Sequence, residues 1–252
     1  MNILVFFAHP DDETVLTGGT LALLARQGAR VHFLCATRGE GGEAGEPPLC
    51  SLEELGRLRT GELACAVEQL GGHDLTFLDY VDPRVGEDNQ LYPYTQDVDL
   101  LTRQVAGHIR EVHADVLISH GSNGEYGHPA HVLTYQAARA AVESVDGIAP
   151  LFYSFSAIFP NHPRPRIANR DDEAHLVLDV SPVLPQKIQA ALCHRTQHAL
   201  FVRGPSKDAG RQLSVPEVVR RLESLHRHLP PCDGKPVDEL SLLLKDYEAG
   251  KG

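Results

Sequence analysis

A histidine and two adjacent carboxylates follow a short apolar segment at the start of the chain. Residues 2–7 read NILVFF, and residues 8–13 read AHPDDE. A strand this apolar is typical of a sheet that is buried on both faces and binds ligands at the carboxyl ends of its strands. If a helix begins at Asp11 or Asp12, the three-residue spacing lets His9 and Asp12 converge on one ion. These residues therefore indicate a metal-binding or catalytic site.

A second cluster of histidines follows another apolar segment. Residues 115–119 read DVLIS, and residues 126–131 read YGHPAH, in which His128 and His131 are again three apart. Pro129 suits the first turn of a helix, where its missing N–H is not needed. Together the two clusters offer the nitrogen and oxygen ligands of a catalytic zinc site, which has three protein ligands and one position for water.

The first cluster also has a purely structural interpretation. Carboxylates are common at helix N-termini, where free N–H groups and the helix dipole favour them, and this accounts for Asp11, Asp12 and Glu13. It does not account for His9 or for the matching histidines within residues 128–131. Taken jointly, the two clusters favour a metal site.

The elements that position these clusters alternate between apolar strands and helices. Such alternation indicates a parallel sheet built from βαβ units. In the common strand order 3-2-1-4, the first and fourth strands are neighbours, so the two clusters would face each other across the ligand crevice. The predicted fold is α/β, a Rossmann-like, doubly wound and mostly parallel sheet with helices on both faces. The predicted strands are residues 2–8, 30–37, 74–80, 115–119, 151–157 and 175–180.

Helices are predicted where apolar residues recur with helical spacing between start and stop signals. The segment from Ser51 opens with S-x-x-E, which is typical of a capping box, and it ends at two glycines. We predict one domain over residues 1–252, with a core of about residues 1–200 and a helical extension over about residues 201–252. The predicted helices cover residues 12–27, 51–70, 97–112, 129–139, 182–200 and 215–229.

Three other polar segments receive structural interpretations. The glycines of residues 38–45 do not match G-x-G-x-x-G, and the glutamates among them oppose an anion, so a flexible loop over the crevice is favoured. Residues 171–173 are all acidic and favour a solvated turn. His226 and His228 favour the surface of the last predicted helix.

The composition disfavours several classes of partner. Of the 252 residues, 42% are hydrophobic, and 23 Lys and Arg against 34 Asp and Glu give a net charge of −11. This charge disfavours nucleic acids and anionic membrane surfaces. No apolar segment is long enough to span a bilayer, and no signal-peptide pattern precedes the first strand. A soluble, cytoplasmic protein is predicted, and a homo-oligomer is compatible with the sequence.

The cysteines indicate a reducing compartment. Their number is odd and none forms a C-x-x-C pair, so reduced and mostly buried thiols are predicted. The five are Cys35, Cys50, Cys65, Cys193 and Cys232.

The two clusters resemble the motifs of the PIG-L/LmbE-like family of zinc-dependent N-acetylglucosaminyl deacetylases, which includes the deacetylases of mycothiol and bacillithiol biosynthesis. Two further stretches are similar to family elements, the R-x-x-E helix at residues 59–66 and the K…H-x-x-Q element at residues 187–197. The resemblance extends from the first strand to about residue 200. The chain departs from it at Ala130, where the family often has Asp, and this leaves the substrate in question more than the chemistry.

The resemblance implies a role for eight residues. Bound zinc would acidify the attacking water, while the base accepts its proton and a protonated histidine stabilises the oxyanion. The implied roles are zinc ligation by His9, Asp12 and His131, general base for Asp11, oxyanion stabilisation by His128, sugar binding by Arg59 and Asp82, and an active-site tyrosine at Tyr126.

The resulting hypothesis is hydrolytic removal of an N-acetyl group from a small-molecule amino-sugar conjugate of GlcNAc type. Zinc is the expected cofactor, and ferrous iron suits the same ligands. An amidase of thiol S-conjugates, similar to those of mycothiol, is the alternative within the family. A catalytically silent sugar-binding protein is another, although binding alone would not need Asp11 as a base. Phosphoryl transfer at a magnesium site is disfavoured, because two histidine ligands suit zinc or iron better.

Overall fold

A seven-stranded sheet lies at the centre of the protein in this computed structural model, which describes residues 1–147 and 149–250. The strands are β1 (Asn2–Phe7), β2 (Arg30–Thr37), β3 (Asp74–Tyr80), β4 (Val116–Ser119), β5 (Leu151–Phe155), β6 (Ala157–Ile158), β7 (Asn169–Glu173), β8 (Leu176–Asp179) and β9 (Leu222–Leu229). The order across the large sheet is β3-β2-β1-β4-β5-β9-β8, while β6 and β7 form a separate pair. Strands β1 to β5 are parallel, and β9 is antiparallel to both of its neighbours. The predicted order 3-2-1-4 is confirmed.

Helices connect the parallel strands and also make up much of the C-terminal part. They are α1 (Asp12–Arg26), α2 (Leu55–Leu70), α3 (Val98–Glu111), α4 (Gly124–Gly127), α5 (Pro129–Ser144), α6 (Leu184–Cys193), α7 (His198–Ala209), α8 (Val215–Val218) and α9 (Glu239–Leu244). Short 3-10 helices cover Glu87–Asn89, Pro165–Ile167, Ser181–Val183, Arg195–Gln197 and Lys245–Tyr247. None of the helices in the described ranges has the length and apolar character needed to cross a membrane.

Both faces of the large sheet are covered, because side chains alternate along each strand. In β1, Ile3, Val5 and Phe7 belong to one apolar core, while Leu4 and Phe6 belong to another. Helices α1, α2, α6 and α9 pack on the first side, and α3 and α5 pack on the second. The predicted Rossmann-like, doubly wound α/β fold is therefore confirmed.

Two predicted helices differ from the structure in where they begin or are interrupted. Helix α2 begins at Leu55 rather than Ser51, and its N-cap is Glu54, without a side-chain cap; the Ser51 backbone N–H and hydroxyl donate to the Glu54 carboxylate, at 3.4 and 3.2 Å, in a turn before the helix. The capping-box prediction is therefore wrong. The predicted helix over residues 182–200 is divided, since α6 ends at Cys193 and α7 begins only at His198.

The predicted helix over residues 215–229 is wrong. Only its first four residues are helical, and Leu222–Leu229 form strand β9 between β5 and β8. The segment after residue 200 is therefore not purely helical, and it contributes a strand to the main sheet. One domain over the whole chain stays a prediction, which the pairing of β9 supports.

A buried carboxylate on β9 binds the first helix. Glu223 accepts hydrogen bonds from the backbone N–H groups of Gly19 and Thr20, at 2.8 and 2.6 Å, and forms an ion pair with Lys187 at 2.6 Å. Lys187 and Glu223 are both almost fully buried. Removing one partner of such a pair typically costs about 3–5 kcal/mol, because the other charge is left without compensation. The C-terminal strand is in this way fixed to the N-terminal helix.

The prediction of reduced thiols is wrong for two of the five cysteines. Cys65 on α2 and Cys193 at the end of α6 form a disulfide, whereas Cys35, Cys50 and Cys232 are free. The two bonded residues are 128 positions apart in the chain, so their sequence spacing carries no sign of the pairing. The cytoplasmic location stays a prediction.

The acidic residues 171–173 are not a solvated turn. They lie in strand β7, where Asp172 is only 3% exposed. The Asp172 carboxylate accepts hydrogen bonds from the backbone N–H and the hydroxyl of Ser122, at 2.8 and 2.6 Å. Local donors thus compensate for the burial of this charge.

Candidate metal centre and active site

The two histidine clusters meet at the carboxyl ends of neighbouring strands. His9 follows β1, and Asp12 is the first residue of α1. His131 lies in the first turn of α5, which comes after β4 in the chain. Because β1 and β4 pair in parallel, both clusters emerge at the same edge of the sheet. The structure therefore brings together residues from distant parts of the chain, as the strand order requires.

The three proposed ligands, His9, Asp12 and His131, form a triangle of residues at this edge, in which Asp12 presents a different carboxylate oxygen to each histidine. His9 Nδ1 lies 3.3 Å from His131 Nε2 and 3.4 Å from Asp12 Oδ2, while His131 Nε2 lies 3.4 Å from Asp12 Oδ1. Ligands at the usual zinc distances of about 2.0–2.2 Å are separated by roughly 3.3–3.6 Å in a tetrahedral site. The separations and the donor types therefore fit a zinc ion.

Each histidine of this triangle has a carboxylate at its other ring nitrogen. Asp82 Oδ1 lies 3.3 Å from His9 Nε2, and Glu125 Oε2 lies 2.7 Å from His131 Nδ1. Such partners fix the tautomer and the orientation of metal-binding histidines and make them better ligands. Asp82 thus contacts a histidine that is predicted to be a ligand, whereas the family resemblance implies a contact with sugar hydroxyls.

Sequence reasoning missed Glu125 and its second partner, His120. Glu125 is 2% exposed, and the same Oε2 atom lies 2.9 Å from His120 Nδ1. The ring of His120 stacks on that of His131 at 4.0 Å between centroids. His120 Nε2 accepts the Ala8 N–H at 3.1 Å, so it is engaged with the backbone. The only sequence signal was Ala130, which lacks the carboxylate expected there and leaves His131 to be supported from elsewhere.

Glu125→Gln should weaken metal binding about 10- to 100-fold while leaving the fold intact. This is the usual cost of losing a partner of a metal-binding histidine, because the neutral amide no longer favours the required tautomer of His131. The dissociation constant can be measured by competition with a chromophoric chelator. Glu143→Gln, at an exposed position on α5, is the matched control. Equal affinity in both variants would show that Glu125 does not support the ligand.

The proposed base, Asp11, has a strained backbone. Its φ is 115°, a value in the left-handed region that residues with side chains rarely adopt. Its N–H donates to Glu13 at 2.9 Å, and its carboxylate accepts from Arg59 Nη2 at 3.1 Å. Backbone strain of this kind costs about 1–3 kcal/mol and clusters at functional sites. The Asp11 carboxylate therefore contacts Arg59, whereas the Asp12 carboxylate contacts His9 and His131. Different roles are predicted for the two residues.

Arg59 is packed beneath Asp11 rather than exposed in the crevice. The side chain is 3% exposed, and its guanidinium also donates to the backbone oxygens of Gly39 and Pro10. Burial raises the pKa of Asp11 to about 7, against the opposing effect of the Arg59 charge. A carboxylate whose pKa lies near neutrality is suited to accept a proton and later return it.

His128 lies beside the proposed ligands, and its tautomer is fixed by the backbone. Its ring stacks on that of His131 at 4.5 Å between centroids, and its Nδ1 accepts the Ala130 N–H at 3.2 Å. Burial, followed by the charges of His131 and His9, lowers the pKa of His128 to about 3. This direction favours a neutral imidazole with its proton on Nε2 in the metal-free site, and the oxyanion-stabilising role of His128 stays a prediction.

Tyr126 is at the mouth of the site. Its ring is 5.6 Å from that of His131 and 5.7 Å from that of His128, between centroids, and the residue is 55% exposed. The preceding Glu125 has a φ of 60°, which turns its own side chain inward. Tyr126 is therefore beside the proposed metal centre, in contact with solvent.

Comparisons with known proteins find a matching family model and named relatives. A model of the PIG-L family, described as GlcNAc-PI de-N-acetylase, matches residues 4–142. A 1D-myo-inositol 2-acetamido-2-deoxy-alpha-D-glucopyranoside deacetylase from Thermobifida fusca is 36% identical over 162 residues, which cover 59% of this chain and 57% of that protein. An enzyme of the same name from Thermomonospora curvata is 31% identical over 245 residues, or 81% of this chain and 82% of that protein. The chain thus spans little more than half the length of the first relative.

Solved structures share the fold at low sequence identity. N,N'-diacetylchitobiose deacetylase from Pyrococcus horikoshii has a TM-score of 0.59 and 18% identity, with 90% of this chain and 83% of that one covered. The 4-carboxy-2-hydroxymuconate hydratase GalB from Pseudomonas putida has a TM-score of 0.64 and 23% identity, with 94% and 99% covered. These likenesses establish the fold alone, because the two proteins are named for different chemistries.

Proposed function

The chain belongs to the PIG-L family, and from this membership we propose that it is a zinc-dependent hydrolase that removes the N-acetyl group from a GlcNAc-type conjugate. The observation that carries the proposal is the proximity of His9, Asp12 and His131, whose nearest nitrogen and oxygen atoms are 3.3–3.4 Å apart, beside Asp11. The names of the relatives support a conjugate of an acetylated amino sugar with a polyol such as myo-inositol.

The reaction needs a base next to the proposed metal ligands. Zinc bound by His9, Asp12 and His131 would act as a Lewis acid and acidify water. Asp11 is the next residue to a ligand, and its carboxylate is held by Arg59 at 3.1 Å. Asp11 therefore accepts the proton of the water that attacks the amide carbonyl, and its near-neutral pKa lets it return a proton to the leaving amine.

The oxyanion that forms when water attacks the amide carbonyl needs a hydrogen-bond donor close to it. Because His128 Nδ1 accepts the Ala130 N–H, a neutral ring carries its proton on Nε2. This Nε2–H group is the proposed hydrogen-bond donor to the oxyanion. A neutral donor fixed in place before the reaction still stabilises an oxyanion, because it need not reorganise. The Tyr126 hydroxyl, at the mouth, is the other candidate donor to the oxyanion or the leaving amine.

The proposed substrate contacts differ in their support. The burial of Arg59 supports a positioning role toward Asp11, through the 3.1 Å contact, rather than a direct contact with sugar. Asp82 has 11% of its side chain exposed and can still bind a sugar hydroxyl while one of its oxygens faces His9. A carboxylate has acceptor sites for both contacts.

Amine release from a panel of GlcNAc conjugates, before and after metal removal, tests the proposal. We expect hydrolysis with the purified protein, near-complete loss after chelation, and recovery with Zn²⁺ or, under anaerobic conditions, Fe²⁺. Full activity of the metal-free protein would overturn the mechanism. Hydrolysis of thiol S-conjugates in preference to GlcNAc conjugates would identify the amidase instead, and sugar binding without turnover would identify a silent binding protein.

A further inference from the structure

We propose that the protein binds a second divalent transition-metal ion, at a site formed by Asp172, His226 and His228. This second site shares no residue with the centre at His9, Asp12 and His131. It therefore goes beyond the proposed function and does not depend on it. Two imidazoles and one carboxylate are ligands typical of zinc, which is the ion we expect.

The three side chains come from two strands that lie in different sheets. His226 and His228 are two residues apart on β9, so they project from the same face of the strand, and Asp172 approaches from β7. One ligand atom from each residue lies within 4.8 Å of the other two. His228 Nε2 is 3.6 Å from Asp172 Oδ2, which is at the upper end of the separation expected between two zinc ligands.

Hydrogen bonding leaves one nitrogen of His226 free for an ion. The Nδ1–H group of His226 donates to the backbone oxygen of Glu173 at 2.6 Å, so the lone pair is on Nε2. Metal-binding histidines usually donate their other N–H in this way to a carbonyl or a carboxylate. Burial, opposed by the Glu173 hydrogen bond, lowers the pKa of His226, which agrees with a neutral ring.

The hydrogen bonds of His228 can also leave one of its nitrogens free to bind an ion. His228 Nδ1 lies 3.4 Å from the Tyr135 hydroxyl, and its Nε2 lies 2.9 Å from the Ser154 hydroxyl. The Ser154 hydroxyl is also 3.4 Å from Asp172 Oδ2. It can therefore turn its proton to the carboxylate and leave His228 Nε2 to bind an ion.

A third histidine in this region provides a control. The ring of His175 stacks on that of His226 at 4.4 Å between centroids. Its Nδ1 accepts the Arg227 N–H at 2.9 Å, so its remaining nitrogen carries a proton and is not a ligand in this tautomer. His175 thus shares the surroundings of the second site without belonging to the ligand set.

An ion at the second site would be linked to the loop between β4 and α5, which contains Glu125. Asp172 accepts two hydrogen bonds from Ser122. Ser122 lies three residues before Glu125, whose carboxylate contacts His131 Nδ1. The neighbouring Asn123 side chain donates to Asp171 at 2.5 Å. The expected role is structural, since the ion would join β7, β9 and this loop.

Metal content and thermal stability test the proposal in the full-length protein. After equilibration with excess Zn²⁺ and removal of unbound metal, wild type should hold two zinc ions per chain, and His226→Ala and His228→Ala should each hold one. His175→Ala should still hold two. Asp12→Ala should hold one, and Zn²⁺ should raise its Tm, because an ion that binds only the folded state stabilises it. Adding His226→Ala to Asp12→Ala should abolish that rise.

Several outcomes would overturn the second site. Equal zinc content in wild type, His226→Ala and His228→Ala would do so, and so would an Asp12→Ala variant that binds no zinc at saturating concentration. If the histidine variants fail to fold, Asp172→Asn keeps an oxygen that can accept from Ser122 and should lose one zinc equivalent. Retention of both ions by folded Asp172→Asn would equally contradict the proposal.

Discussion

Asp11→Asn should lower turnover by roughly 10²- to 10⁴-fold without changing the metal content of the protein. The range is the usual contribution of a positioned general base. The amide keeps the size of the side chain and can still accept from Arg59, but it cannot take the proton of the attacking water. Single-turnover assays and metal analysis of the same preparation measure the two quantities separately.

The pH profile gives an independent test of Asp11. A base must be deprotonated to act, and burial raises the pKa of Asp11 to about 7, so wild-type kcat/KM should fall as the pH decreases through and below this value. The Asp11→Asn variant should lack this acid limb. If the limb persists unchanged in the variant, another group is the base.

Asp12→Ala should abolish activity by removing the ion from the triangle. A ligand is lost outright, so the affinity should fall by more than the roughly 10- to 100-fold expected for loss of a supporting partner. Metal analysis should show one equivalent fewer than in wild type, together with the loss of amine release. The matched control is Asp99→Ala, which changes an exposed carboxylate at the start of α3.

The neighbouring carboxylates Asp11 and Asp12 thus have opposite expected outcomes. Metal loss in Asp11→Asn combined with metal retention in Asp12→Ala would reverse their roles and require a different ligand set. Because Asp12 also accepts the His9 backbone N–H at 2.9 Å, thermal melting of Asp12→Ala should accompany the assay. A large drop in Tm would assign part of the effect to folding.

The parallel part of the fold could be predicted because its signals are local. Strand β1 is a continuous apolar run that ends at a polar cluster, and β2 is apolar from Phe33 to Ala36, so these strands need no distant information to be recognised. Strand β9 had no such signal. Its leucines at 222, 225 and 229 recur at helical spacing, while Glu223 and Ser224 are buried with partners elsewhere in the chain, Lys187 and the Ala157 carbonyl. Long-range partners overrode the local pattern.

The same distinction applies to the site. The proximity of the three proposed ligands could be predicted because His9 and Asp12 are close in sequence and because strand order brings His131 to them. Glu125 could not, since a glutamate in a glycine-rich loop gives no sign that its backbone will turn it inward at a φ of 60°. The protonation of His128 also depends on the histidines stacked around it, which only the folded structure defines.

The contacts that Glu223 makes with Lys187 and the first helix have a consequence for folding during synthesis on the ribosome. A chain is made from its N-terminus, so α1 and α6 emerge before β9 exists, and domains generally fold as units during synthesis. Until Glu223 emerges, Lys187 lacks its buried counter-charge, the amides of Gly19 and Thr20 lack that acceptor, and β5 has an open edge. The helix that begins at Asp12 is therefore fixed by a distant strand that is translated much later, and a nascent chain that stalls before β9 lacks the contacts that hold this helix.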